Sequence, residues 1–331
     1  MSKNILIINF GGLGDEILFL PTLVSLKQEF PESEITLVLE PRSKCIKELT
    51  DLIDNVIPID IKKRGIGKFT ELLNLITKSL FGGFDMVIAS GANKFISVIE
   101  AMTFIPERYG YDTGRLSRLL LTKTVKLDKT QYASAMYHDL IKPLTDHVTE
   151  IPQLSVEPAD KIPNSVLIHP GVSLMSKRKG CIKTISPKDW AELIDRLSAY
   201  GKQVILAGGP DDEECIQDIE RYSNTKNFKN YYGKTKNIIE LAKLISSAEK
   251  FVCSDSAPLH IAVAMKVKTY PFFGPTDDTK LVPKVDYVKP LKSKYGCPIQ
   301  PCLWERRKQS CDELSCLDYD ISEIARFICE D

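Results

Sequence analysis

Residues Ile5–Glu16 read ILIINFGGLGDE, and this stretch decides the fold. Four consecutive apolar residues, Ile5 to Ile8, make a short buried strand. Gly11, Gly12 and Gly14 form a loop that lets backbone approach a ligand closely. Asp15 and Glu16 then open an apolar helix through Ile17, Leu20 and Val24. A strand, a glycine loop and a helix are the first half of a βαβ unit. Working outward, further β-rich runs (ITLVLE from Ile35, DMVIAS from Asp85) alternate with helical patterns such as KFTELLNLITKSL from Lys68. The strands are continuously apolar rather than alternating, which predicts a parallel sheet covered by helices on both faces.

The rhythm restarts after IPQLSVEPADKIPNS, where Pro152, Pro158 and Pro163 interrupt any regular element. The second half runs through strand SVLIHPG from Ser165, helix PKDWAELIDRL from Pro187, strand QVILAGG from Gln203 and a helix over 212–222. Helix NIIELAKLIS from Asn237, strand KFVCSD from Lys250, helix PLHIAVAM from Pro258 and strand KTYPFFG from Lys268 follow. This predicts an α/β chain of two doubly wound, Rossmann-like domains facing a cleft. The expected bounds are 1–158, 159–317 and a C-terminal helix over 318–331. In such sheets ligands bind beyond the carboxyl ends of strands, so the loops that follow strands carry the functional reading.

Composition narrows the classes. The 331 residues hold 44 Lys+Arg against 44 Asp+Glu, a net charge of +0, which argues against wrapping nucleic acid. No run approaches the 18 or so apolar residues of a spanning helix, and the apolar stretch at the N-terminus is too short for a signal-peptide core. A cytoplasmic protein, peripheral at most to the inner membrane, is expected. The nine cysteines are an odd number in a long chain, which does not suggest a disulfide scaffold.

The first loop has two readings. Gly12 and Gly14 begin a G-x-G-x-x-G pattern, but Ile17 stands where the third glycine of a dinucleotide loop belongs, which weakens an NAD-dependent oxidoreductase. Asp15 is either a helix N-cap or a general base that takes a proton from an attacking hydroxyl. Pro21 predicts a kink or a late helix start. The loop after KFVC reads Ser254, Asp255, Ser256, Ala257, Pro258, Leu259, His260. Ser256 fits an N-cap with Pro258 in the first turn, and free amides there favour a diphosphate. His260 could donate to that anion or pack as a core histidine, and Asp255 either serves the donor loop or merely orders the turn. FFGPTDD brings Gly274, Thr276 and Asp277 to a neighbouring strand end. His169, the basic residues Lys177, Arg178, Lys179 and Lys183, and Gly208 with Gly209 follow other strands.

Taken together these residues resemble glycosyltransferase family 9, which includes the ADP-heptose:lipopolysaccharide heptosyltransferases. The resemblance runs over GGLGDEILFLPTLVSLKQEFP, the HPG strand end, VILAGGPDDEE, GKTKNIIELAKLISSAEKFVCSDSAPLHIAVAM and FFGPTDD. It implies the two-domain GT-B architecture, with acceptor bound by the first domain and nucleotide-sugar by the second. Asp15 matches the family's proposed base, with Gly11, Gly12 and Gly14 as its acceptor loop. Ser256, Ala257, Pro258 and Leu259 match the diphosphate turn, and His260 its adjoining histidine. The family lysine before a Trp-Pro pair has no such context here, where Thr184, Ile185, Ser186 and Pro187 open the helix. Lys183 is the first choice and Lys179 the second. The implied reaction is inverting transfer from ADP-heptose to a lipopolysaccharide core or other surface glycan, with no cofactor required. A non-catalytic nucleotide-sugar binding protein is the remaining alternative.

YGCPIQPCLWERRKQSCDELSC spaces Cys297, Cys302, Cys311 and Cys316 by four, eight and four residues. A structural metal, a disulfide and plain reduced thiols are all open readings. Trp304 with Arg306, Arg307 and Lys308 forms a basic-aromatic patch between them. Arg42, Lys44, Lys62, Lys63 and Arg64 offer a comparable anion contact in the first half.

Overall fold

The computed structural model describes residues 3–172, 182–303, 311 and 314–331. The chain divides into two compact units, Met1–Ser155 and Val156–Asp331.

In the first unit the strands are β1 (Asn4–Ile8), β2 (Glu34–Leu39), β3 (Asn55–Pro58), β4 (Met86–Ala89), β5 (Glu107–Tyr111) and β6 (Lys123–Val125). They form a parallel sheet of order β3-β2-β1-β4-β5-β6. Ile5–Ile8 of β1 are buried because helices cover both faces of the central strands, which is why the run is unbroken. The helices are α1 (Leu13–Glu29), α2 (Ile66–Phe81), α3 (Lys94–Met102), α4 (Arg115–Leu120) and α5 (Ala133–His138). Helix α1 runs unbroken through Pro21, which is buried at its ninth position, so the late start expected from that proline is not observed.

The second unit repeats the plan. Its strands are β7 (Ile162–His169), β8 (Gln203–Leu206), β9 (Phe228–Asn230), β10 (Ala248–Ser254), β11 (Lys268–Phe273) and β12 (Leu291–Lys292). They form a parallel sheet of order β12-β11-β10-β7-β8-β9. The helices are α6 (Pro187–Ala199), α7 (Glu213–Tyr222), α8 (Ile238–Ser247), α9 (Ala257–Ala264), α10 (Asp278–Leu281) and α11 (Ile321–Glu330). Trp190 of α6 is fully buried, with its ring edge-on to Phe272 of β11 at 5.0 Å. Terminal helix α11 inserts Ile321, Ala325 and Ile328 into the same core.

In each unit the first strand lies beside the fourth, β1 against β4 and β7 against β10. The order in which strands are added to the sheet reverses there, the position beyond whose strand ends sheets of this kind bind ligands. The loops named from the sequence leave these strands: Gly11–Asp15 follows β1, and Asp255–His260 follows β10.

Candidate active site

In the first unit Gly12, extended at φ −83° and ψ 176°, occupies the N-cap position of α1, and Asp15 is the third residue of the helix. Asp15 is therefore not the N-cap. Its Oδ2 accepts a hydrogen bond from the Gly12 amide at 2.7 Å, the one half of a capping box that a glycine N-cap allows. Its Oδ1 accepts from the Tyr137 hydroxyl at 3.2 Å. Burial, and then the negative charge of Asp15, push the Tyr137 phenol well above its ordinary pKa, so it stays protonated and donates. Both carboxylate oxygens are thus oriented. Gly11 is required by this packing, since a Cβ there would fall 2.2 Å from Asp15 Cβ. Gly14 lies in the first turn of α1.

Glu16 faces inward and is almost wholly buried, with Oε2 accepting from Asn9 Nδ2 at 2.8 Å. Burial raises its pKa well above the carboxylate range, more than the Asn9 hydrogen bond lowers it. Asn9 Oδ1 in turn accepts from Ser90, which follows β4, so this buried network ties the two strands beside the loop. Arg42 pairs with Glu40 at 2.6 Å and sets its guanidinium beside Gly12. Lys62 also pairs with Glu40, and Lys63 with Glu71. Arg42 is thus the cation among the first-half candidates that meets the glycine loop, while Lys44 and Arg64 are exposed.

In the second unit the pairs straddle the β7/β10 reversal. Asp255, at the end of β10, is buried and accepts hydrogen bonds from Lys183 Nζ and Thr276 Oγ1, each at 2.8 Å. Burial alone would raise the Asp255 carboxyl. The Lys183 ammonium and its hydrogen bond, the Thr276 hydroxyl and His260 outweigh it and hold the pKa below the ordinary range. Lys183, Asp255, Thr276 and His260 are therefore one cluster. Thr184 anchors the lysine: its hydroxyl donates to Pro170 O at 2.9 Å and accepts from Trp190 Nε1 at 2.9 Å and from the Ser254 hydroxyl at 2.8 Å.

Ser256 occupies the N-cap position of α9, with Pro258 in the first turn, but its hydroxyl does not cap the helix. It lies 3.4 Å from Ser254 O instead. Ser256 and Ala257 are half-buried at this uncapped amide end, the arrangement that favours an anion. The Leu259 amide bonds Ser256 O at 3.0 Å and its side chain is core. His260 is 4% exposed, so the core and anion readings of it converge on a buried ring beside Asp255.

Gly274 admits the C-terminal segment, since a Cβ there would meet Leu317 at 2.5 Å. Asp277 caps α10 by accepting from the Thr279 amide, which is a structural role. His169 is buried next to Asp212, and burial lowers its pKa. Lys177, Arg178, Lys179, Trp304, Arg306, Arg307 and Lys308 lie outside the described residues.

The thiols of Cys297, Cys302 and Cys311 are close enough to Cys316 to help burial push its pKa up to about 11. Among the described residues, however, no group of three or more His, Cys, Asp or Glu side chains is arranged to hold a metal ion. The metal reading of the cluster gains no support from this arrangement.

The sequence alone did not single out Tyr137 or Thr184 for the site. Tyr137 lies 122 residues from Asp15 with no local pattern to mark it. A cue existed near Thr184, in Ser186-x-x-Asp189, which forms a reciprocal capping box and fixes where α6 starts.

Two Rossmann-like units, one carrying an oriented carboxylate after its first strand and the other an anion-favouring turn, fit the GT-B plan of glycosyltransferases. The profile of glycosyltransferase family 9 (heptosyltransferase) matches residues 75–311, and the chain belongs to that family. The matched stretch includes the Lys183–Asp255 cluster and lies beyond Asp15. Lipopolysaccharide heptosyltransferase 3 of Escherichia coli is 28% identical over 278 residues, 80% of each chain. A family 9 glycosyl transferase from Veillonella parvula superposes with a TM-score of 0.72 at 23% identity, over 87% of this chain and 85% of that one. An Escherichia coli heptosyltransferase solved with ADP gives a TM-score of 0.74 at 17% identity, over 99% of each chain. Family membership leaves the NAD-dependent oxidoreductase reading without support.

Proposed function

We propose that this enzyme transfers heptose from ADP-heptose to a lipopolysaccharide-core acceptor, inverting the anomeric centre in one displacement. The observation that carries the reading is the Asp15 carboxylate, held at a strand end by the Gly12 amide and the Tyr137 phenol. Asp15 takes the proton of the acceptor hydroxyl. The hydroxyl oxygen bonds to the anomeric carbon as the bond from that carbon to the diphosphate oxygen breaks. The electron pair departs on ADP. The amide end at Ser256 and Ala257, with His260 and whichever donors Lys183 does not give to Asp255, stabilises the charge that develops there. Thr276 and Asp255 position that lysine. Arg42, beside the glycine loop, suits a phosphorylated or acidic acceptor sugar. On this reading the enzyme works in the cytoplasm, and the residues named supply the charge stabilisation without a catalytic metal.

Support comes from family membership and from the similarity to a curated lipopolysaccharide heptosyltransferase. The test is transfer from ADP-heptose to heptose-deficient lipopolysaccharide by the purified chain. Asp15→Asn is expected to lower turnover by about 10²-fold or more while ADP affinity stays within about twofold. Unchanged turnover in that variant would remove Asp15 from the mechanism.

A further inference from the structure

Two glycine loops of this chain have the same build. GGLGDE over 11–16 and GGPDDE over 208–213 each set a glycine at the start of a helical segment in the same extended conformation, Gly12 at φ −83° and ψ 176° and Gly209 at φ −84° and ψ 176°. In each, the aspartate three residues on accepts from that glycine's amide, Asp15 at 2.7 Å and Asp212 at 2.9 Å. The residue after the aspartate is glutamate in both. Glu213 is exposed, whereas Glu16 is only 1% exposed. The turn therefore folds without a buried glutamate, and the burial of Glu16 answers to its surroundings in the first unit.

Those surroundings disfavour a charge. Oε2 of Glu16 accepts from Asn9 Nδ2, while among the described residues Oε1 has no hydrogen-bond partner. The charged and titratable groups that reach Glu16 are Asp15 from its own helix, Glu40 and Arg42 from the segment after β2, and Tyr137 from α5. Two carboxylates thus stand against one guanidinium, which is itself paired with Glu40. Burial, then the charges of Asp15 and Glu40, outweigh the Asn9 hydrogen bond and Arg42 and keep the proton on Glu16.

The hydrogen bonds that start at Glu16 span the strand-order reversal. Glu16 receives Asn9 at the end of β1, and Asn9 receives Ser90 at the end of β4. The residue next to the Asp15 carboxylate is therefore the one that ties the first turn of α1 to both strand ends.

We infer that the neutral Glu16 carboxyl is a positioning group for Asp15, seating the first turn of α1 on the ends of β1 and β4, and that transfer is lost where Glu16 ionises. The inference rests on the proposed role of Asp15 as the base. Ionised, Glu16 adds a buried negative charge facing Asp15 and Glu40, which is relieved when the first turn opens and Asp15 moves. Glutamine at this position keeps an acceptor for Asn9 and cannot ionise, so it copies the working form.

The experiment is the pH dependence of heptose transfer, with kcat and KM resolved, for the wild type, Glu16→Gln and Glu16→Leu. Wild-type kcat is expected to fall on the alkaline side. Glu16→Gln is expected to keep kcat within about twofold at neutral pH and to hold it about one pH unit further into alkali. Glu16→Leu loses the oxygen that receives Asn9 and is expected to lower kcat about tenfold, with KM for ADP-heptose within about twofold. An infrared difference spectrum at pH 7, wild type minus Glu16→Gln, reads the group with neither donor nor acceptor present. The carbonyl band of a protonated carboxylic acid is expected, and carboxylate bands in its place would overturn the inference. So would a glutamine variant that loses as much kcat as the leucine one, or an alkaline limb that glutamine leaves unmoved. Any of these results beside transfer that depends on Asp15 would remove this inference alone. Transfer unaffected by Asp15→Asn would remove the proposed base and this inference together.

Discussion

Replacing Asp255 by Asn removes one charge from a buried pair and leaves nearly everything else in place. The Asp255 side chain is 4% exposed and that of Lys183 16%, with 2.8 Å between the charged atoms. Breaking a buried pair by removing one partner costs about 3–5 kcal/mol, because the other charge stays buried without compensation. Asn keeps an oxygen for the Thr276 hydroxyl, and Lys183 has some access to water. The low end, about 3 kcal/mol, is therefore expected, equivalent to roughly 6–12 °C for a unit of this size. The folded Asp255 pKa is depressed, so its contribution is full above the unfolded value of about 3.9 and is lost as pH falls through the folded value. The penalty of Asp255→Asn should thus be constant near neutrality and shrink below about pH 4. Urea unfolding followed by fluorescence, with Trp190 buried beside Thr184, measures it at both ends. Adding Lys183→Met to Asp255→Asn removes the stranded ammonium, so the double variant should be no less stable than Asp255→Asn alone. A penalty under about 1 kcal/mol at pH 7, or an equal penalty at pH 3, would refute the argument that this is a charged buried pair.

Glu16→Gln should stabilise the first unit at pH 7 and leave it unchanged near pH 4. The wild-type carboxyl keeps its proton in the fold while the unfolded chain loses it above about pH 4.3, so stability falls as pH rises between the two values. Thermal melts against pH would show the wild-type slope flattened in the variant. Gly11→Ala places a methyl group 2.2 Å from Asp15 Cβ. It should cost about 1–3 kcal/mol by overpacking and reduce transfer more than ADP binding, measured by turnover and calorimetry. Tyr137→Phe removes the hydroxyl that orients Asp15 Oδ1. It should cost about 1–2 kcal/mol and lower kcat while ADP affinity holds, with steady-state kinetics as the check.

The parts of this fold that could be read from sequence are those whose cause is local. β1, β2, β8 and the C-terminal halves of β7 and β10 are apolar runs because both faces of a central strand are covered, and each is followed within three residues by Gly, Pro or Asp where the chain turns. The edge strands carry no such signature: Lys123–Val125 is a three-residue KTV, and Phe228–Asn230 is FKN, partly exposed along its length. Pairing with a neighbour makes them strands. ERYGY of β5 escapes for the same reason, its partners in register being Met86–Ala89 on one side and Lys123–Val125 on the other.

The site divides along the same line, and the division bears on the chemistry. Sequence located Lys183 and Asp255 separately, 72 residues apart, and gave the lysine a direct role at the departing diphosphate. Their contact changes what that lysine can contribute. An ammonium held 2.8 Å from a buried carboxylate offers a diphosphate little net charge, only a dipole and whichever of its three donors Asp255 does not take. The pair's more effective work is geometric. Asp255 fixes Lys183, receives Thr276 from the neighbouring strand end and feels His260 from the helix start, so three separate elements are set around one carboxylate. On the proposed mechanism the developing charge then falls more heavily on the uncapped amides of Ser256 and Ala257. Those are backbone donors, supplied by the fold at any residue type and therefore invisible to a reading that looks for charged side chains.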